Sequence, residues 1–211
     1  MLNDSSDGLF LFTRFPQPGQ AKTRLIPTLG EAGAASLQKQ MTEHLLRRFQ
    51  PICAKEDIQL QIHFAGGSRQ EIQSWLGQHV LSFPQCEGSL GDRIAFALQQ
   101  GFAAQLQRII VVGSDCPGID KTHILQALAL LETHDVVLGP ATDGGYYLIG
   151  LNQLWLPLFE NVPWSTERLL AMTRAIAARM GLSVALLKPL SDIDRPEDLP
   201  IWYRVLEADA A

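Results

Sequence analysis

Apolar residues fall along this chain in two rhythms, and their alternation lays out an α/β plan. Short, nearly continuous apolar runs at 9–12, 109–112 and 135–139 read as strands buried on both faces of a sheet. The central one is the most telling: Ile109, Ile110, Val111 and Val112 are four β-branched residues in a row, closed by Gly113. Ile58, Leu60, Ile62 and Phe64 alternate with polar residues, which predicts a strand with one polar face and places His63 on the surface. Further strands are expected at 80–83, 146–149 and 183–187. Between them the spacing is helical. Ala34, Leu37, Met41, Leu45 and Phe49 predict a helix over 31–49, and leucines predict another over 122–132 with Asp120 as its cap. Ser68 and Glu71 have capping-box spacing ahead of a short helix stopped by Gly77. Asp92 offers a cap for a helix through Leu106, and Pro163 to Glu167 reads as the entry to a helix ending at Met180.

Composition narrows the class. With 211 residues, 46% hydrophobic and 18% charged, the chain fits one α/β domain over its whole length, with a core that needs no staples. A net charge of −5 argues against a nucleic-acid groove. Cys53, Cys86 and Cys116 show no metal-ligand spacing, and so sparse a set suits a reducing compartment. The polar, acidic stretch 1–7 does not read as a signal peptide, and no apolar run approaches the ~20 residues of a membrane span. A soluble, cytoplasmic protein is expected.

The candidate chemistry lies in five segments. Where the central strand opens, Ser114 and Asp115 are released at its carboxyl end, the position at which open α/β sheets bind ligands. Asp120 already supplies the cap of the next helix, so Asp115 is left to hold a metal ion and the phosphates it neutralises. The loop after the first strand carries Arg14, Gly19, Lys22, Thr23 and Arg24, a glycine-containing cationic segment able to cradle phosphate, although it is neither a Walker loop nor a GxGxxG fingerprint and solvated basic side chains explain its spacing equally. Gly91 lets backbone approach a ligand, and Arg93 sits in a first helical turn, where the helix dipole disfavours a cation; an anionic partner would explain it, and a structural salt bridge explains it equally. The turn Asp143-Gly144-Gly145-Tyr146 gathers a carboxylate, bare amides and an aromatic ring, as a hydroxylated or phosphorylated ligand requires; a plain hairpin explains it equally. Near the carboxyl end, Asp194 and Glu197 have capping-box spacing, while Asp192 has no such structural use and joins Asp115 as a candidate oxygen ligand for a hard cation.

Taken together, Phe12-Thr13-Arg14, Pro18-Gly19, Lys22-Thr23-Arg24-Leu25, Gly113-Ser114-Asp115-Cys116-Pro117, Asp143 to Gly150, and Asp192-Ile193-Asp194 with Pro196 to Leu199 resemble one family in order. They look like the nucleotide-diphospho-sugar transferase superfamily with the GT-A fold, and within it the bacterial DUF2064-like group described as uncharacterised glycosyltransferases. The resemblance runs from about Leu9 to Leu199. It implies a three-layer α/β/α sandwich around a mixed, mostly parallel sheet, and a divalent ion, Mg²⁺ or Mn²⁺, bridging nucleotide phosphates. Carried onto this chain, it makes Asp115 the metal-binding aspartate, with Asp192 or Asp194 as second contributor. Lys22 and Arg24 then neutralise phosphate, and Asp143, Gly144, Gly145 and Tyr146 face the second substrate. The first loop departs from the superfamily in lacking its glycine-rich opening. The central strand ends in a lone aspartate where many glycosyltransferases carry an Asp-x-Asp pair.

Three functions are compatible with these residues. The first is metal-dependent glycosyl transfer from a nucleoside-diphosphate sugar to a small acceptor, with Asp143 orienting or deprotonating the acceptor hydroxyl. The second is nucleotidyl transfer resembling 2-phospholactate guanylyltransferase, in which a substrate phosphate attacks the α-phosphorus of a nucleoside triphosphate and no base is needed. The third is a non-catalytic nucleotide-binding module.

Overall fold

The computed structural model describes residues 6–210, so most of the amino-terminal stretch read for a signal peptide lies outside the described residues. Seven strands form one sheet: β1 (Asp7–Arg14), β2 (Ile58–Ala65), β3 (Ser82–Pro84), β4 (Arg108–Gly113), β5 (Val136–Pro140), β6 (Tyr146–Leu151) and β7 (Val184–Leu186). Their order is β3-β2-β1-β4-β6-β5-β7. β6 runs antiparallel to both neighbours, and every other pairing is parallel. The mixed, mostly parallel sheet expected from the family resemblance is therefore present.

Alternation along the central strands explains the layers. Leu9 and Leu11 of β1 and Ile110 and Val112 of β4 point to one face, where they pack on helices α1 (Ile26–Lys55), α2 (Arg69–Leu76) and α4 (Lys121–Leu130). Phe10, Phe12, Ile109 and Val111 point to the other, against α3 (Leu90–Ala103) and α5 (Leu169–Arg179). A third cluster seats the start of α1 and Ile193 against the last helix, α6 (Leu199–Ala210), through Leu25, Met41 and Trp202. Within α1, Gly30 adopts φ 69°, ψ 167° and breaks the helix. The periodicity beginning at Glu31 thus found the main segment and missed the turn before the kink.

Caps settle the other boundaries. Ser68–Glu71 forms the expected box and Asp120 caps α4. At α3 the cap is Ser89, whose hydroxyl accepts from the Asp92 amide while the Asp92 carboxylate closes the box. Asp92 is therefore the third helical residue, and the helix starts earlier than expected. The segment 163–168 consists of turns, and α5 begins only at Leu169, because Asn161 and Ser165 take left-handed φ values of 54° and 61°. No helix among the described residues is long and apolar enough to cross a membrane.

His63 corrects the reading of β2 as half exposed. It is only 5% exposed, stacked on Phe12 and Phe83 with Phe10 beside it, because β2 lies inside the sheet and both of its faces are covered. Burial lowers its pKa from the ordinary 6.5 to about 4. Between those values the unfolded chain binds more protons than the folded one. Stability is therefore complete above pH 6.5 and falls as pH drops toward 4, by up to about 3 kcal/mol. His63→Phe, which keeps the ring stack, is expected to flatten this part of the stability–pH curve in denaturant titrations at pH 4.5 and 7.

Candidate active site

The carboxyl ends of β1 and β4 lie side by side, and the loops leaving them define the site. β1 ends at Arg14, and the loop that follows turns at Lys22, which takes a left-handed backbone (φ 48°, ψ 47°) before the short 3₁₀ turn Thr23–Leu25. That turn carries the Lys22 side chain inward until it is only 4% exposed. Its ammonium lies 2.7 Å from Asp115 Oδ1 at the exit of β4 and 3.1 Å from Asp194 Oδ1, and it donates to the Ile193 carbonyl.

Asp194 arrives from the other end of the chain for a local reason. Ile193 is fully buried in the α1–α6 cluster, and its amide donates to the Asp115 carbonyl at 2.8 Å. Upstream, Leu190 bridges the end of β5: its amide donates to the Pro140 carbonyl, and the Thr142 amide donates back to it. Asp192 and Asp194 therefore flank an anchored residue and converge on Asp115. The expected capping role of Asp194 passes to Asp198, whose Oδ2 accepts from the Asp194 and Arg195 amides. That leaves the Asp194 carboxylate for Lys22 and, at 3.2 Å, Arg24 Nη1.

The electrostatics follow from this proximity. Burial, then the charges of Asp115, Asp143 and Asp194, push the Asp192 carboxyl up to about 7, against the opposing pull of Lys22. Burial works against the charge on Lys22, but Asp115 and Asp194 outweigh it and hold the ammonium above the ordinary lysine range. The oxygen-rich donor set suits a hard cation. The arrangement does not: among the described residues no three carboxylate, histidine or cysteine groups converge as ligands, and Lys22 stands between Asp115 and Asp194. As arranged, these residues fit a lysine and not a divalent ion.

Two clefts open beside this centre. The larger, about 610 Å³, is lined by Arg14, Lys22, Thr23, Arg24, Arg93, Ser114 and Asp115 among the expected residues. The smaller, about 380 Å³, is lined by Asp143, Asp192 and Arg195, and shares Arg24, Ser165 and Asp194 with the first. The remaining expected residues line neither of these two clefts. Gly91 is packed under Phe159 and Trp164, and Gly19 sits against the Glu31 carboxylate. Gly144 lies under the backbone of Glu167, and Gly145 donates its amide to Asp143 Oδ1 at 2.9 Å. Tyr146 packs edge-on against Trp164 in the second core cluster, and burial drives its phenol pKa upward. Of that turn, only Asp143 reaches a cleft.

Sequence reasoning missed Gln38, Gln85, Leu90 and Ser165, all of which line the larger cleft. Gln38 left a signal, since it is a polar residue within the apolar stripe of α1. Only 3% exposed, its Nε2 donates to Ser114 Oγ (2.9 Å), Thr13 Oγ1 (3.1 Å) and Thr42 Oγ1 (3.3 Å). One amide thus ties α1 to the ends of both β1 and β4.

Open α/β sheets bind ligands outside the carboxyl ends of their strands, and the cations and carboxylates of this chain lie there. Residues 48–166, more than half of the chain, match the family described as uncharacterized protein conserved in bacteria (DUF2064), and the chain belongs to that family. It is 27% identical over 190 residues to 3-phospho-D-glycerate guanylyltransferase of Phenylobacterium zucineum (strain HLK1), a match covering 84% of this chain and 82% of the relative. A protein of Desulfovibrio desulfuricans G20, provisionally named a nucleotide-diphospho-sugar transferase, superposes with a TM-score of 0.88 at 30% identity, over 95% of this chain and 87% of that one. A Mycobacterium tuberculosis H37Rv protein solved with manganese shares the fold at a TM-score of 0.51 and 14% identity, over 95% and 97% of the two chains. The chain is a transferase of the nucleotidyl- or sugar-transferring kind.

The Gln38 junction gives a direct test. Gln38→Leu leaves the buried hydroxyls of Thr13, Thr42 and Ser114 without their shared donor, and is expected to cost about 2–3 kcal/mol in urea unfolding.

Proposed function

We propose that the chain transfers a nucleotidyl group from a nucleoside triphosphate to a small phosphorylated acceptor and releases pyrophosphate. One observation carries this reading: Arg14, Lys22, Arg24 and Arg93 line a single cleft of about 610 Å³ at the strand ends. Three arginines in one cleft, beside a lysine already paired with Asp115 and Asp194, suit a triphosphate better than any neutral ligand. The adjoining cleft sets Arg24, Arg195 and the hydroxyls of Thr142, Ser165 and Thr166 among the carboxylates of Asp143, Glu167, Asp192, Asp194 and Asp198, so an acceptor's anion would have to be met at the two arginines and its hydroxyls by the remaining groups. The guanylyltransferase relative makes a guanine nucleotide and a phosphorylated hydroxy acid the first pair to try.

In this reaction an acceptor phosphate oxygen attacks the α-phosphorus and forms the new P–O bond. The bond from the α-phosphorus to its bridging oxygen breaks, and its electron pair leaves on pyrophosphate. The acceptor phosphate is already anionic at neutral pH, so no general base is required. The chain's share is position and charge: arginines in the larger cleft hold the leaving oxygens, and Arg24, on the shared wall, reaches both substrates. The family resemblance implies Mg²⁺ or Mn²⁺, which would neutralise phosphate charge, and no step above uses the three aspartates as its ligands.

Glycosyl transfer is the second reading, and Asp143 favours it, because a carboxylate lining the smaller cleft is placed to accept a proton from an acceptor hydroxyl. Products separate the two. Incubated with GTP, the magnesium salt and a phosphorylated hydroxy acid, the protein is expected to release pyrophosphate; release of a nucleoside diphosphate from a nucleotide sugar would establish the second reading instead. Asp143→Asn sharpens the distinction. Nucleotidyl transfer is expected to lose less than about tenfold in kcat, whereas a reaction with Asp143 as general base loses roughly 10²–10⁴-fold.

A further inference from the structure

We propose that Lys22 is the resident cation of the acidic centre and that a divalent ion binds there only in competition with it. The proposal holds whichever group the enzyme transfers.

Three observations support it. The Lys22 ammonium contacts Asp115 Oδ1 and Asp194 Oδ1 at 2.7 and 3.1 Å, two of the three carboxylates (with Asp192) that the family resemblance offers as a metal's oxygen ligands. The second oxygen of Asp194 is also engaged, by Arg24 Nη1 at 3.2 Å, so neither oxygen of this carboxylate is without a positive partner. The ammonium is fixed as well as near: the left-handed backbone at Lys22 aims a nearly buried stem, and the Ile193 carbonyl takes a further proton of the ammonium. An ion seated between Asp115 and Asp194 would therefore confront a positive charge within contact distance, in a setting where charge–charge terms are strong. Lys22 does there what a structural ion does elsewhere. It joins the β1 loop, the exit of β4 and the segment around Ile193, which lie more than 70 residues apart in sequence.

Mn²⁺ binding to the nucleotide-free protein tests the competition, followed by the electron paramagnetic resonance of free Mn²⁺ and by thermal melting. The wild-type protein is expected to bind Mn²⁺ weakly and to melt at nearly the same temperature with and without it. Lys22→Met removes the charge and keeps the length of the stem. It is expected to melt lower in metal-free buffer, to bind Mn²⁺ at least about tenfold more tightly than wild type, and to recover stability as Mn²⁺ saturates. Lys22→Arg, which keeps the charge, is expected to behave as wild type. Equal Mn²⁺ affinity in wild type and Lys22→Met overturns the proposal, whether both bind or neither does. Should Lys22→Met fail to fold even with Mn²⁺, Lys22→Gln and wild type carry the test, and tight Mn²⁺ binding by the wild-type protein alone overturns it.

Discussion

The active centre is organised around one buried ammonium. Lys22 lies between carboxylates that reach it from residues 115 and 194, and the Ile193 carbonyl joins them. Burying a charge is costly unless it is paired and hydrogen-bonded, and here both conditions are met. The arrangement works in both directions. Without Lys22, Asp115, Asp143, Asp192 and Asp194 would share one region with only the exposed Arg24 as a positive partner, and Asp192, pushed up first by burial and then by its acidic neighbours, would lose the opposing pull of the ammonium. Without the aspartates, the lysine stem would carry an unpaired charge into the protein.

That centre depends on the sheet below it. β1 and β4 are adjacent and parallel, so their carboxyl ends open on the same edge, and Arg14 and Ser114 leave side by side. Gln38 fixes this spacing from α1 by donating to hydroxyls on both strand exits. The antiparallel β6 closes the other half. The β5–β6 hairpin turns at Asp143 beside the same edge, and the bridge from Leu190 to the end of β5 sets Asp192 and Asp194 against β4. Three separate crossings of the chain thus end in one place because the strand order requires it.

Much of this was legible in the residues. The buried strands were visible because four β-branched residues in succession have few other uses, and Asp115 stood out because Asp120 already filled the cap. The meeting of Asp115 with the 192–194 segment followed from family resemblance and from the lack of a structural task for Asp192. What could not be read was which side of a wall a side chain would occupy. Gly91, Gly144 and Tyr146 belong to segments near the site yet line neither cleft and pack against Trp164 and Glu167, residues brought there by a loop with no periodic signal. His63 was misplaced for a related reason: alternation predicts a covered and an open face, but a strand inside a doubly covered sheet has no open face. The lysine's inward turn rests on a left-handed backbone at a non-glycine position, which composition does not announce.

The cations of the site divide into two kinds, and this division fits the proposed chemistry. Lys22 is enclosed, with its ammonium fixed by three acceptors, so it shapes the centre before any ligand arrives. Arg24 is 61% exposed and held by a single contact to Asp194, the kind of surface pair worth at most about 1 kcal/mol. Arg93 is tethered by a Gly88 carbonyl and, at 3.4 Å, by Gln85 Oε1. Weakly held arginines around a fixed lysine can turn toward phosphate at little cost, since the contacts they give up are mostly screened by water already. Arg24 also belongs to both clefts, so the charge that meets one substrate is within reach of the other. In the proposed transfer between two anionic molecules, a positive group at their boundary would offset their mutual repulsion, and Arg24, which lines both clefts, is the group placed to do so.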